Sequence, residues 1–339
     1  MPGCHPFSLT GWRRPFGSTT LLSISGFFRG LKFDRGRMGP GNPKSQEMVR
    51  DLAALYRRLA TGALWPDDTV PLQITTIEGD PEYLRSGLKS GEINQQDARI
   101  FKHFKADMGT ILDVGAHWGY MAMSILNSGT DCDVISFEAV PYNEACLRTL
   151  RDESPRYDYL IGAVSDAERQ VTFYNPVVNG TPISGINSIN GETLGLWWVP
   201  GTIETIEKYF SHALIEGQPT RLQLGVYNIK ARPLDAILAS QSFRFPTKRV
   251  SAIKIDVEGH ERAVLDGARS TIERDYPLLV AEGGTSGPVV AFMRRMGYSM
   301  VQRNEDFLEP LDAHALVANE FFVHASRVDQ YRQIGLLRG

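Results

Sequence analysis

The sequence predicts an α/β protein with a mostly parallel sheet and helices on both of its faces. Three observations predict it. From Thr110 onward, short β-rich runs alternate with segments of helical period, and strand–helix alternation builds parallel sheets. Two runs, Ile111-Leu112-Asp113-Val114 and Ile253-Lys254-Ile255-Asp256-Val257, are near-continuous apolar stretches closed by an acid. Central strands read this way when their carboxyl ends open onto a site. The chain has 339 residues, 42% of them hydrophobic, which is core material for one large domain or two ordinary ones.

The chain up to Phe33 carries Arg13, Arg14, Arg29 and Lys32 and no acid. It reads as a disordered extension or as a transit-type leader. Gly36 to Pro43 is a linker by composition, and residues 1–44 form this extension. A helix is expected from Ser45, where Met48, Leu52, Leu55 and Leu59 recur at helical spacing until Gly62 and Pro66. A second is expected over 94–105, with Ile100, Phe101 and Phe104 on its apolar side. Together they make an N-terminal helical segment, 45–109.

Seven strands are expected at 110–114, 133–137, 157–161, 250–256, 278–282, 298–302 and 320–324. Helices fall at 120–126, 142–150, 261–273 and 289–296. The interval between Ile161 and Val250 is too long for a connection. It reads as an insertion, 175–232, over the carboxyl edge of the sheet, preceded by a short run at 170–174 and holding a strand-like run at 222–230. Its Trp197 and Trp198 suit lid packing, or stacking on a sugar or aromatic ring. The domain then runs over 110–325, with a tail at 326–339.

The 36 basic and 39 acidic residues give a net charge of −3, which argues against nucleic-acid binding by bulk electrostatics. Cys4, Cys132 and Cys146 form no metal-ligand spacing and suit a reducing compartment. No stretch reaches the roughly 18 apolar residues of a membrane span. A cytoplasmic protein without nucleic-acid or membrane partners is the expectation.

Three strand ends carry chemistry. Asp113 to Tyr120 (DVGAHWGY) sits where a buried strand passes into a helix. Gly115 and Gly119 allow a tight turn and close approach of a ligand. The pattern is neither the dinucleotide G-x-G-x-x-G nor a triphosphate loop, and taken alone a glycine pair is often only a turn. Glu138 closes the next strand, where an acid can accept both hydroxyls of a ribose or simply favour a helix start. Lys254 to Glu261 (KIDVEGHE) brings Asp256 and Glu258 to the mouth of a third strand. Glu261 begins a helix, and His260 suits a helix-start or surface role.

These residues resemble a known family. Asp113 to Tyr120 is similar to D-V-G-A-N-x-G-x-Y, and Phe137 to Pro141 to F-E-P-x-P. Gly162 to Asp166 is similar to the A-L/V-S-D turn, Ile253 to Glu261 to K-I-D-V-E-G-x-E, and Val264 to Ala268 to V-L-x-G-A. The chain from Thr110 to His324 thus resembles the FkbM family of S-adenosylmethionine-dependent methyltransferases, with the insertion unmatched. The resemblance implies a Rossmann-like class I methyltransferase fold: a seven-stranded, mostly parallel sheet with an antiparallel last strand. It implies S-adenosyl-L-methionine as cofactor. Asp113, Gly115, His117 and Gly119 would lie along its methionine and ribose, and Glu138 would hold the ribose hydroxyls. Ala163, Val164 and Asp166 would border the adenine, and Asp256 and Glu258 would face the methyl. This sequence departs from the pattern at His117, where the family has Asn, and at Ala139, where it has Pro.

The implied reaction is O-methylation of a sugar or secondary-metabolite hydroxyl. Asp256 would accept the proton, with Glu258 assisting or replacing it. No resident metal is expected. The rival readings are a non-catalytic adenosine-binding module on the same fold and a nicotinamide-dependent oxidoreductase.

Overall fold

The computed structural model describes residues 79–182, 221–247, 249–282, 287–311 and 319–339, together with 66–71 and with 51, 54, 55, 58 and 63. Asp51, Ala54, Leu55 and Arg58 of the expected first helix are helical. The rest of that helix, the extension 1–44 and the Trp197–Trp198 pair lie outside the described residues.

Along the chain come β1 (Thr69–Pro71), α1 (Pro81–Ser90), β2 (Thr110–Val114), α2 (Tyr120–Asn127), β3 (Val134–Glu138) and α3 (Glu144–Glu153). Then follow β4 (Tyr157–Ile161), β5 (Ala163–Val164), β6 (Arg169–Val178), β7 (Thr181–Pro182), β8 (Leu222–Arg232) and α4 (Leu234–Ser240). The chain continues through β9 (Val250–Ile255), α5 (Glu261–Gly267), α6 (Arg269–Asp275), β10 (Leu278–Glu282) and α7 (Pro288–Arg295). It closes with β11 (Tyr298–Asn304), β12 (Phe307–Pro310), β13 (Asn319–His324) and α8 (Val328–Gln333).

The main sheet has the order β12-β11-β13-β10-β9-β2-β3-β4. Strands β4, β3, β2, β9 and β10 are parallel, and β13 runs antiparallel to both β10 and β11. The expected α/β class with an antiparallel last strand stands. The count of seven is corrected to eight, because β12 hairpins onto β11. The turn is made at Glu305, which takes φ 52°. A four-residue strand ending in proline gives little pattern to read, but Pro310 sits where edge strands tolerate it.

Successive strand residues face opposite sides. Ile111, Val134, Tyr157, Val280 and Phe321 pack on α2, α3 and α8. Leu112, Ile135, Ile253, Leu279 and Phe322 pack on α4, α5, α6 and α7. The result is three layers with a core on each side of the sheet.

Local chemistry explains the departures from expectation. The stretch expected as a helix at 94–105 is a 3-10 helix over Gln96–His103. Ala98, Phe101 and Phe104 are all buried, and a three-residue repeat is the 3-10 period. The helix expected at 261–273 breaks at Ala268. A Cβ on Gly267 would lie 1.9 Å from the Ser165 carbonyl oxygen. The freed N-terminus of α6 is capped by Asp235, which accepts from the backbone N–H groups of Ser270 and Thr271.

The long interval holds a second sheet rather than a loop alone. β6 and β8 pair antiparallel from Arg169↔Ala231 to Val178↔Leu222. β1 and β5 join β8 in parallel. Phe173, Ile229 and Ala231 form a small core with Val140 and Tyr142, so this sheet lies against the end of β3. Residues 183–220 lie outside the described residues.

The tail at 326–339 carries α8. Tyr331 is fully buried with its ring 6.1 Å from that of Phe104. Leu308 of β12 donates to the Leu336 carbonyl and accepts from the Arg338 N–H. Tyr331→Ala is therefore expected to cost about 3–5 kcal/mol, read as a lower urea midpoint. An unchanged midpoint would mean that the C-terminal segment is not part of the core.

Candidate functional site

The site begins with a contact between two strand ends. β2 and β9 are neighbours, and Val114 pairs with Ile255. Just past them, Gly115 takes φ +82°, and a Cβ there would lie 1.7 Å from the Asp256 carbonyl oxygen. Only glycine has both the conformation and the absence of a side chain. Gly119 serves a different contact. It stands at the N-cap of α2 with φ 84°, and its missing Cβ leaves room for Leu150 of α3.

The turn after Gly115 aims backbone donors at one carboxylate. The Glu138 Oε2 accepts from the His117 N–H at 2.6 Å, and Oε1 accepts from the Val140 N–H at 2.7 Å. Glu138 is 5% exposed. Burial pushes its carboxyl up to about 7, against the two backbone bonds that favour the ionised form. His117 itself takes φ 52°. Its ring stacks on Trp118 at 4.1 Å, and its buried Nε2 has no hydrogen-bond partner. Burial pushes this imidazole down to about 4, so it is neutral at pH 7.

The third wall comes from the β9–α5 turn. Glu258 and Gly259 both have positive φ, which for a glutamate is uncommon backbone. Glu261 holds the turn, its Oε1 accepting from Gly259 N–H at 2.9 Å and Val257 N–H at 3.4 Å. His260 N-caps α5, and its Nε2 lies 2.9 Å from Ser165 Oγ. The Ser165 hydroxyl donates to Asp166 Oδ1 at 2.9 Å, so His260 donates to Ser165. Burial pushes His260 down to about 4.

These turns enclose a cavity of about 170 Å³. Its wall includes Gly115, His117, Glu138, Ala163, Val164, Asp256 and Glu258. Three expected residues lie off the wall. Asp113 is fully buried beneath it, its Oδ2 accepting from Ser136 Oγ at 3.3 Å. Gly119 packs between helices. Asp166 is half exposed and pairs with Arg169 at 2.7 Å. The wall also includes Phe137, Val140, Phe173 and His260. Phe173 gives no signal in the sequence, because it reaches the cavity only through the β6–β8 pairing. His260 stands within a motif already singled out, yet its contact with Ser165 joins positions far apart in the chain. Among the described residues, no three His, Cys, Asp or Glu side chains converge as a metal site, and no helix is long and apolar enough to cross a membrane.

A family model described as the methyltransferase FkbM domain matches residues 113–300, more than half of the chain. The chain belongs to the FkbM methyltransferase family. No curated protein matches it. Among solved structures it is similar to the methyltransferase FkbM from Methylobacillus flagellatus KT, with 14% identity and a TM-score of 0.38. That match covers 83% of this chain and 58% of the other. A putative O-methyltransferase from Klebsiella pneumoniae matches at 9% identity and TM-score 0.30, over 82% of this chain and all of its own. The O-methyltransferase from Bacillus cereus, in complex with SAH, matches at 9% and 0.28, over 88% and 96%.

In this member of the FkbM family the mouth of the sheet also holds a buried acid outside the cavity wall. Glu320 lies in register with Ala281, and Ala281 with Ile255. It is fully buried and neither carboxylate oxygen has a hydrogen-bond partner. Burial, and then the charge of Glu261, push its carboxyl up to about 7. The folded chain thus holds this proton more tightly than the unfolded chain. The group's contribution is full below about pH 4.5 and is lost as pH rises through 7. Its size is of order 3 kcal/mol. Glu320→Gln is expected to flatten the fall in urea stability between pH 5 and pH 8. A variant with the wild-type slope would show that Glu320 titrates normally.

Proposed function

We propose that the chain transfers a methyl group from S-adenosyl-L-methionine to a hydroxyl of a sugar or other small metabolite. The observation that carries this reading is the buried Glu138 carboxylate, fixed by two backbone N–H groups, on the wall of the same cavity as Asp256. Each of its oxygens keeps a further lone pair, which suits the two hydroxyls of a ribose. Phe137, Val140, Ala163, Val164 and Phe173 give an apolar slot for a flat base. The buried, unpartnered His117 Nε2 supplies one more polar contact. The donor set therefore fits a nucleoside with a diol. At about 170 Å³, the cavity is smaller than the ~300–1,000 Å³ of pockets that bury a whole drug-sized ligand, so it matches the nucleoside part.

When bound, the sulfonium supplies a methyl group that is electrophilic without further activation. The protein's work is then alignment and proton handling. Holding a nucleophile in line with the methyl–sulfur bond can supply roughly 7–11 kcal/mol. Asp256, 37% exposed at its side chain, stands at the open side of the wall, where an acceptor hydroxyl can reach it. As that hydroxyl attacks, Asp256 takes its proton, an effect typically worth ~10²–10⁴-fold. Glu258, on the same turn, orients the acceptor.

Calorimetry with S-adenosyl-L-methionine, its demethylated product and NAD tests the reading. Binding of the first two but not of NAD is expected, and binding of NAD alone would refute it. Glu138→Gln should weaken binding by ~10–100-fold, because a buried, charge-assisted bond is lost. The sign of the pH effect follows from the raised carboxyl. The ionised form accepts from both hydroxyls, so wild-type affinity should be full above about pH 7 and decline below it, with the decline absent in the variant. Asp256→Asn should keep binding and lose ~10²–10⁴-fold in turnover across a panel of hydroxylated acceptors; unchanged turnover would exclude Asp256 as the proton acceptor.

A further inference from the structure

Lys254 is a charged residue next to the carboxyl end of a central strand, 5% exposed. A buried ammonium is costly unless it is paired, and the strand register shows what pairs it. Lys254 stands opposite Asp113 of β2. Asp256 follows two residues later and so shares its face. The Lys254 Nζ donates to Asp256 Oδ2 at 2.9 Å. The same Nζ lies 3.8 Å from Asp113 Oδ1, a buried oxygen with no hydrogen-bond partner. Two carboxylates face one ammonium, and the ammonium is bonded to the outer one.

We propose that Lys254 is a positioning residue for proton transfer. Its ammonium pairs with Asp256 while that carboxylate is ionised, and moves across to Asp113 Oδ1 when Asp256 takes up the acceptor's proton. The inference rests on the methyl-transfer reading above. In the step, the acceptor O–H bond breaks and its proton goes to Asp256. The acceptor oxygen forms a bond to the methyl carbon, and the methyl–sulfur pair stays on sulfur. Before the step the charges are two carboxylates, one ammonium and one sulfonium. Afterwards they are one carboxylate and one ammonium. The negative charge on Asp256 and the positive charge on sulfur are lost together, and Lys254 keeps a carboxylate beside it in Asp113. Burial raises the proton affinity of Asp113 and the charge of Lys254 offsets part of that rise, so a closer approach of the ammonium favours the ionised Asp113.

Carbon-13 NMR of the full chain labelled at aspartate carboxyls tests this without a known acceptor, the Asp256 signal being assigned by its loss in Asp256→Asn. Lys254→Met should raise the Asp256 midpoint by a pH unit or more, and Lys254→Arg should return it towards wild type. Asp113→Asn should lower it, because a competing negative charge beside the ammonium is removed. In the wild type the Asp113 carboxyl signal should also move through the Asp256 midpoint as the ammonium crosses, a response that a lysine fixed on Asp256 does not give and whose absence overturns the inference. If Lys254→Met fails to fold, the near-isosteric Asp113→Asn decides. An unmoved Asp256 midpoint in Asp113→Asn overturns the inference even where wild-type calorimetry shows S-adenosyl-L-methionine bound. Wild-type protein that does not bind S-adenosyl-L-methionine overturns the methyl-transfer reading, and the proton-transfer role with it, whatever the titration shows.

Discussion

The site depends on the closeness of two strand ends. Gly115 and the Asp256 carbonyl approach so nearly that no side chain fits between them. That contact joins a glycine turn and an acidic turn, which are separate stretches of sequence, into one wall. It also fixes the direction of the backbone after Gly115, and so the placement of the His117 N–H on Glu138. Three strands contribute, yet the geometry traces to one missing methyl group. Enzymes position groups best on rigid elements, and here each functional turn leaves directly from a buried strand.

Charge is handled in two tiers around this wall. The upper tier is the carboxylate of Glu138, satisfied by backbone alone. The lower tier is the row Ser136, Asp113 and Lys254, which adjacent strands bring side by side. Burying ions beneath a site costs stability and is seldom repaid by the pairing itself. The cost buys an environment in which water does not reorganise as charge moves. Glu320 is a further buried acid on the antiparallel side of the sheet, where burial and the charge of Glu261 raise its hold on the proton.

Much of this was legible because it is local. The glycine turn, Glu138 and the K-I-D-V-E-G stretch each lie within a few residues, and each stands at the end of an apolar run. The parallel strands could be read from their lack of polar alternation. What escaped reading depends on distant pairing. The runs at 170–174 and 222–230 are visible, but not that they pair with each other along Arg169–Val178. Phe173 reaches the cavity for that reason alone. Gly115 and Gly119 read as a tight turn open to a ligand, and what the sequence does not show is their contact with Asp256 and Leu150. Residues 98, 101 and 104 show a period of three, which a search for 3.6 blurs. β12 and the tail escape because each supplies the hydrogen-bond partner of the other.

That last exchange has a consequence for handling the chain. The backbone around Leu336 and Arg338 closes off Leu308 on the outermost strand of the main sheet. An uncovered edge of this kind offers free N–H and C=O groups to any extended peptide. Trimming the last few residues would therefore do more than loosen an end. It would open a docking template for other molecules of the same chain while also uncovering the buried Leu336 and Leu337, so self-association and loss of stability would appear together.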